Sequence, residues 1–120
     1  MDNPLAFIVE DDEDASIIFA SALQEAGFEC EIIRDGEKAL TWLAETVPAV
    51  VVLDLELPGV SGIDILRQVR ADARLAETRV IVATAHPDMA VDIQDEADLV
   101  LFKPVSYIQL RDLAKRVGIA

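Results

Sequence analysis

The sequence predicts an α/β fold: one doubly wound sheet of five parallel strands, with five helices shared between its two faces. Three observations carry this reading. Five short apolar runs are separated by helix-length amphipathic segments, and the two kinds of segment alternate without exception. The run at 50–53 is apolar at every position, as a strand covered on both faces would be.

The elements follow in order. Leu5–Val9 is the first apolar run. In the helix after it, Ala15, Ile18, Ala22 and Ala26 fall on one face, and Gly27 suits a C-terminal cap. The run 28–33 alternates apolar and charged residues, the pattern of an edge strand. Asp35 is placed to cap the second helix, whose Ala39, Leu40 and Leu43 share a face, and Pro48 bars its continuation. After the run 50–53, Pro58-Gly59 suits the two central positions of a type II turn. The third helix is expected from about Ser61, with Leu66, Val69 and Ala73 inward. The run 79–83 is the fourth strand. The fourth helix, 88–96, is short and acidic and has only Met89, Val91, Ile93 and Ala97 to bury. Leu99–Phe102 is the last strand. Ser106-Tyr107-Ile108-Gln109 reads as a capping box that opens a fifth helix, with Leu110, Leu113, Ala114 and Val117 on its buried face and Gly118 at its end. Right-handed crossovers leave few topologies, and the flavodoxin-like strand order 2-1-3-4-5 is the expected one. In it the first and third strands are neighbours, and ligands sit beyond their carboxyl ends.

Composition narrows the function. The 120 residues, 52% hydrophobic, suit one domain over 1–120 with a core that needs no disulfide. The single cysteine, Cys30, sits between Glu29 and Glu31 and reads as a small strand hydrophobe. With no disulfide framework, a reducing compartment is expected. No apolar run approaches the roughly 20 residues of a membrane span. The start, Met1-Asp2-Asn3-Pro4, lacks the basic stretch of a signal peptide, so a cytoplasmic location is expected. A formal net charge of −13 repels nucleic-acid backbones and anionic membranes, so neither is expected as a direct partner.

The chemistry gathers at strand ends. The first strand runs into Glu10-Asp11-Asp12 and the third into Asp54, so the predicted sheet places these acids on one rim. Two unit charges 4 Å apart cost about 4 kcal/mol at an effective dielectric near 20. A proton, a lysine or a metal must offset that, and oxygen ligands favour magnesium, manganese or calcium over zinc. Helix capping is the competing explanation for the first cluster, and for Asp12 in particular. It fits Asp54 poorly, because a Pro-Gly turn and not a helix follows. The fourth strand leads to Thr84, a hydroxyl, and the fifth to Lys103-Pro104, an ammonium before a turn-former.

The four segments Ile8-Val9-Glu10-Asp11-Asp12, Val50-Val51-Val52-Leu53-Asp54-Leu55-Glu56-Leu57-Pro58-Gly59-Val60-Ser61-Gly62, Val82-Ala83-Thr84-Ala85 and Lys103-Pro104 together resemble the receiver domain of bacterial response regulators. The resemblance spans essentially the whole chain and is closest in form to the single-domain, chemotaxis-regulator-like members. It implies a phosphorylation-dependent switch rather than an enzyme, one that catalyses only its own phosphoryl transfer and autodephosphorylation. Asp54 would be the phosphoacceptor. Asp11, Asp54, Glu10 (directly or through water) and the backbone carbonyl of Glu56 would hold Mg2+, with Mn2+ as a substitute. Lys103 and Thr84 would contact phosphoryl oxygens, and Lys103–Pro104 is expected to be cis. The implied partners are a sensor histidine kinase or histidine phosphotransfer protein and a downstream protein target, with the domain itself a monomer or weak homodimer.

Two departures from the family pattern are visible. Many receivers carry an aromatic residue three positions before the lysine, where this chain has Val100; neither Phe102 nor Tyr107 stands at the matching place. The stretch from Thr84 to Lys103 is also about three residues short, close to one helical turn. Of the smaller features, His86 lines the loop beside the site, Trp42 reads as packing and Met89 as a gap filler.

Three other readings compete with this one. A haloacid-dehalogenase-like phosphatase wants a second Asp two residues after the nucleophile, where Glu56 stands, and a cap domain that does not fit the length. A nucleotide or flavin binder needs a glycine-rich phosphate loop after the first strand, where this chain is acidic. A pseudo-receiver that binds partners without being phosphorylated draws on Val100, against the presence of Asp54, the acid pair, Thr84 and Lys103.

Overall fold

The computed structural model describes residues 3–118, and every predicted strand is present in it. Met1 and Asp2, part of the start read for a leader, lie outside the described residues, as do Ile119 and Ala120. In chain order the elements are β1 (Leu5–Val9), α1 (Glu13–Glu25), β2 (Glu29–Ile33), α2 (Gly36–Glu45), β3 (Val50–Asp54), α3 (Gly62–Ala71), β4 (Arg79–Thr84), α4 (Pro87–Ala90), β5 (Leu99–Phe102) and α5 (Tyr107–Gly118). The strands are parallel throughout and ordered β2-β1-β3-β4-β5, as expected.

The two-residue period of the strands divides the core. Ala6, Ile8, Val50, Val52, Ile81 and Ala83 face α1 and α5, joined by Phe19, Leu23, Leu110 and Ala114. Phe7, Val9, Val51, Leu53, Val80 and Val82 face α2 and α3, joined by Leu43, Ile65, Leu66 and Val69. Every residue of β3 is buried, whereas β2 alternates, as their sequences require. Asp12, Asp35 and Ser61 cap α1, α2 and α3 through side-chain oxygens that accept backbone N–H groups at 2.8–3.2 Å. The Ser106 hydroxyl accepts from Gln109 N–H at 3.2 Å at the start of α5. Trp42 packs edge-on against Phe7 (ring centroids 5.8 Å apart), with the Lys38 ammonium 5.3 Å from the centre of its ring. Among the described residues no helix is long and apolar enough to cross a membrane.

Three helices differ from the expected pattern. On α1 the buried face is Ser16, Phe19, Ala20, Ala22 and Leu23, while Ile17 and Ile18 are exposed. The larger Phe19 and Leu23 win the contact with the sheet. Ser16 joins them at little cost, because its hydroxyl donates to the Glu13 carbonyl at 2.7 Å within the helix. On α3 the buried set includes Ile65, but Ala73 is exposed. The helix ends at Ala71, and a 3-10 turn over Ala73–Leu75, capped by Asp72, turns Leu75 inward instead. The fourth helix is a single turn at Pro87–Ala90 followed by a 3-10 turn at Val91–Ile93; Ala90 and Ile93 are buried and Val91 is exposed.

With so little apolar surface on α4, polar groups hold the segment leading into β5. Arg70 on α3 donates from Nε to the Glu96 carbonyl (2.6 Å), from Nη1 to the Thr78 carbonyl (3.0 Å) and from Nη2 to Asp98 Oδ2 (2.8 Å). Asp98 also accepts from Val80 N–H at 2.7 Å and from Arg79 Nη1 at 3.2 Å. Burial works against its charge, but these donors outweigh it and hold the carboxyl below the ordinary aspartate value.

Replacing Asp98 strands the Val80 N–H and takes from Arg70 its one carboxylate partner among three acceptors, so Asp98→Ala is expected to lower stability by about 2 kcal/mol at neutral pH. Because the native carboxyl titrates low, that contribution is present above the unfolded value of 3.8 and fades as pH falls through the native one. Urea unfolding at pH 7 and pH 3 checks this: the gap between wild type and variant should narrow at the acid end, and an unchanged gap would remove Asp98 from this role.

Candidate functional site

The registers bring the chemical groups to one rim. Val9 pairs with Leu53, so Glu10 comes level with Asp54; Asp54 pairs with Ala83, next to Thr84; and Thr84 pairs with Phe102, next to Lys103. Glu10, Asp54 and Thr84 are buried, at 1%, 6% and 0% exposure, while Asp11 and Asp12 are exposed. One carboxylate oxygen each from Glu10, Asp11 and Asp54 lies within 4.8 Å of the other two. Asp12 stands outside this group. Its carboxylate accepts Ala15 N–H at 2.8 Å, so the capping explanation holds for Asp12 and for that acid alone of the four.

Lys103 supplies the positive charge. Its Nζ lies 2.5 Å from Glu10 Oε1 and 3.4 Å from Asp54 Oδ2. The Lys103 N–H donates to the Thr84 carbonyl at 2.8 Å, which ties the end of β5 to β4, and the Lys103–Pro104 peptide is cis as expected. Burial pushes the Glu10 carboxyl up to about 7, against the lowering effect of Lys103 and of the Asp12 N–H. Burial also works against the Lys103 ammonium, but the hydrogen bond to Glu10 and the charge of Asp54 overcome it and hold the amine above its ordinary value. One amine thus faces two buried carboxylates. The surplus negative charge finds relief in a proton or a second cation, which is the condition the sequence anticipated.

The loops around the rim are tied to it. Asp54 Oδ1 accepts Glu56 N–H at 3.1 Å. Thr84 Oγ1 accepts His86 N–H at 3.0 Å, and the His86 imidazole contacts the Glu56 carboxylate, joining the loops after β3 and β4. An open cleft of about 460 Å³ borders the rim, with Asp11, Glu56, Ser61 and Met89 on its walls. Gly59 has φ +80°, as the predicted turn requires. The start of α3 presses directly on the Asp54 peptide. A Cβ at Gly62 would lie 2.6 Å from Leu55 Cα and closer still to the Asp54 carbonyl oxygen, and the Gly62 N–H donates to the Leu55 carbonyl at 3.0 Å. In the sequence, the signal for this part of Gly62 is its place as a small residue just after a Pro-Gly turn.

The aromatic residues are elsewhere. Val100 is half-buried against the core on the α2/α3 side of the sheet. Phe102 is half-exposed at the end of β5. The Tyr107 hydroxyl donates to the Ser21 carbonyl at 3.3 Å and to the Glu25 carboxylate, so it belongs to the seam between α1 and α5.

Comparisons with known proteins agree with this geometry. The family model described as response regulator receiver domain matches residues 6–115. The chain is 35% identical over 97 residues to the DNA-binding response regulator MtrA of Mycobacterium tuberculosis, covering 81% of this chain and 42% of that protein. It is 34% identical over 110 residues to the sensory transduction protein RegX3 of Mycolicibacterium smegmatis, covering 92% of this chain and 47% of that one. It therefore spans less than half the length of these relatives. Among solved structures it is similar to a putative response regulator from Chloroflexus aurantiacus (25% identity, TM-score 0.87, covering 98% and 99% of the two chains). It is also similar to the BeF3-activated DrrB receiver domain (28%, TM-score 0.84, covering 96% and 97%). By fold, by motif order and by family match, the chain belongs to the response regulator receiver domains, the phosphorylation-dependent signalling modules of two-component systems.

Proposed function

We propose that the whole chain, 1–120, is one receiver domain that accepts a phosphoryl group on Asp54 from a sensor histidine kinase or histidine phosphotransfer protein, and that it passes the signal on through changed contacts with a downstream protein. The observation that carries this reading is the position of the Asp54 carboxylate: buried at a strand end, 3.4 Å from the Lys103 ammonium and beside Glu10 and Asp11. A cytoplasmic site of action, and a monomer or weak homodimer, fit this reading.

The residues present suit a hard divalent cation, because three carboxylates converge and all their donors are oxygen. Asp11, Asp54, Glu10 and the backbone carbonyl of Glu56 would hold Mg2+ or Mn2+. When bound, the ion neutralises charge on the phosphoryl oxygens and helps align them. The chain's own groups do the rest. Asp54 Oδ1 accepts the Glu56 N–H, and Oδ2, which has only the longer 3.4 Å contact with Lys103, is the oxygen placed to act as nucleophile. Attack forms the Asp54 O–P bond as the donor's P–N bond breaks, and the electron pair leaves with the imidazole nitrogen. Lys103 faces the charge that collects on the phosphoryl oxygens, and Thr84 offers its hydroxyl to one of them. Water attack on phosphorus of the resulting acyl phosphate breaks the Asp54 O–P bond, releases inorganic phosphate, returns the carboxylate and resets the switch. Among solved structures similar to this chain, the DrrB receiver domain is BeF3-activated, in keeping with this reading.

Incubation with a small-molecule phosphodonor such as acetyl phosphate and magnesium, read by intact mass, tests the acceptor. Wild type should gain one phosphoryl group, and Asp54→Asn and Asp54→Ala should gain none while keeping a native circular dichroism spectrum. Labelling of the alanine variant would place the acceptor elsewhere.

Lys103→Ala leaves the carboxylates to the metal but removes the facing amine. Its phosphorylation rate is expected to fall by about a hundredfold, in line with the loss of one charge-stabilising donor. Wild-type kinetics in this variant would remove Lys103 from the mechanism.

Magnesium binding should depend on pH in a stated direction. Glu10 keeps a proton up to about pH 7 in the metal-free fold, against 4.5 when unfolded. Between those values the native state binds the extra proton, so metal-free stability drops as pH rises through that window. Metal must displace the same proton, so affinity rises with pH through about 7. The melting-temperature gain from magnesium should be larger at pH 8 than at pH 6, and equal gains would contradict the placement of Glu10.

A further inference from the structure

We propose that Gly36, at the start of α2, is a positioning residue for the metal and phosphoryl site, setting the place of the loop 55–61 and with it the Glu56 backbone. This rests on the metal site proposed above. Gly36 is buried and has no side chain to offer the chemistry of the rim. Its contacts are with the loop. Its N–H donates to the Pro58 carbonyl at 3.2 Å. A Cβ added there would lie 2.9 Å from the Val60 carbonyl carbon, 3.0 Å from Val60 Cβ and closer still to the Val60 carbonyl oxygen. Gly36 is not among the positive-φ glycines, so it is space and not backbone conformation that requires glycine here.

An alanine at 36 therefore meets backbone, and one of the two partners must move. Helix α2 is the harder to displace. Ala39 and Leu43 are buried in the core, and Trp42 packs against Phe7. The loop has no regular structure of its own, and its two ends are fixed by buried Leu55 and by the close packing of Gly62 on Asp54. Displacement concentrates between those ends, in the stretch that holds Glu56. That residue contributes the N–H on Asp54 Oδ1 and the carbonyl proposed for the metal, so both would shift together.

The test is Mn2+ binding, followed by the electron paramagnetic resonance signal of free manganese, on wild type, Gly36→Ala and Leu110→Ala. Leu110 is buried on the opposite face of the sheet and serves as a destabilised control. Gly36→Ala should bind Mn2+ about tenfold more weakly than wild type, as removal of a support behind a metal ligand does, while Leu110→Ala binds as wild type. Amide NMR shifts in Gly36→Ala should be concentrated in 55–61. Equal affinity in wild type and Gly36→Ala, or equal weakening in Leu110→Ala, overturns the proposal. If Gly36→Ala does not fold, Asp35→Ala decides. It removes the cap on Lys38 N–H and loosens the first turn of α2 without adding bulk. A loss of Mn2+ affinity of about fivefold, the scale of a lost cap, supports the positioning role, and an unchanged affinity overturns it. Wild-type protein that binds no Mn2+ would instead overturn the metal site itself, which separates that failure from the failure of Gly36.

Discussion

Lys103 holds its ammonium between the carboxylates of Glu10 and Asp54 where β1, β3 and β5 end, and this unequal set of charges governs the rim. Two buried acids and one amine leave a negative charge without a partner. Under cover of the sheet, burial raises the Glu10 carboxyl to about 7 against the pull of Lys103, and the charge of Asp54 adds a smaller push in the same direction. A site that disfavours its own full ionisation suits a cation, which Glu10, Asp11 and Asp54 would hold and which would supply the charge neutralisation the proposed chemistry needs.

The sheet can hold such a set because parallel register delivers strand ends to one edge. Asp54 and Thr84 are the last residues of β3 and β4, and Glu10 and Lys103 directly follow β1 and β5, so the ladder fixes their backbones. Only the loops remain to be placed, and short-range contacts place them: Gly62 against Asp54, Gly36 against Val60, Glu56 against His86. The loops after β3 and β4 therefore touch each other and the two strand-end groups, Asp54 and Thr84, at once.

The far side of the sheet from α1 is held differently from the near side. A one-turn α4 buries little, and a guanidinium network through Arg70 and Asp98 takes over the work of fastening the chain before β5. Val100 lies inside this packing and Phe102 outside it. A conformational signal from Thr84 would therefore cross a surface fastened by charge more than by aromatic packing.

The sequence by itself determined the five strands, their order and the strand-end positions of Glu10, Asp11, Asp54, Thr84 and Lys103, because periodicity and strand termini are local properties of the chain. It also marked Asp35 and Ser106 as caps, since a cap is read within four residues. Only the tertiary structure decided which face of α1 is buried, because Ile18 and Phe19 are both apolar and the shape of the sheet chooses between them. It alone replaced most of the expected fourth helix with the Arg70–Asp98 network, whose members lie 28 residues apart. It alone separated Asp12 from the other three acids, and it alone placed Gly36 against Val60. Adjacent carboxylates look alike in a sequence, and a missing side chain gives no sign of which backbone needs the space.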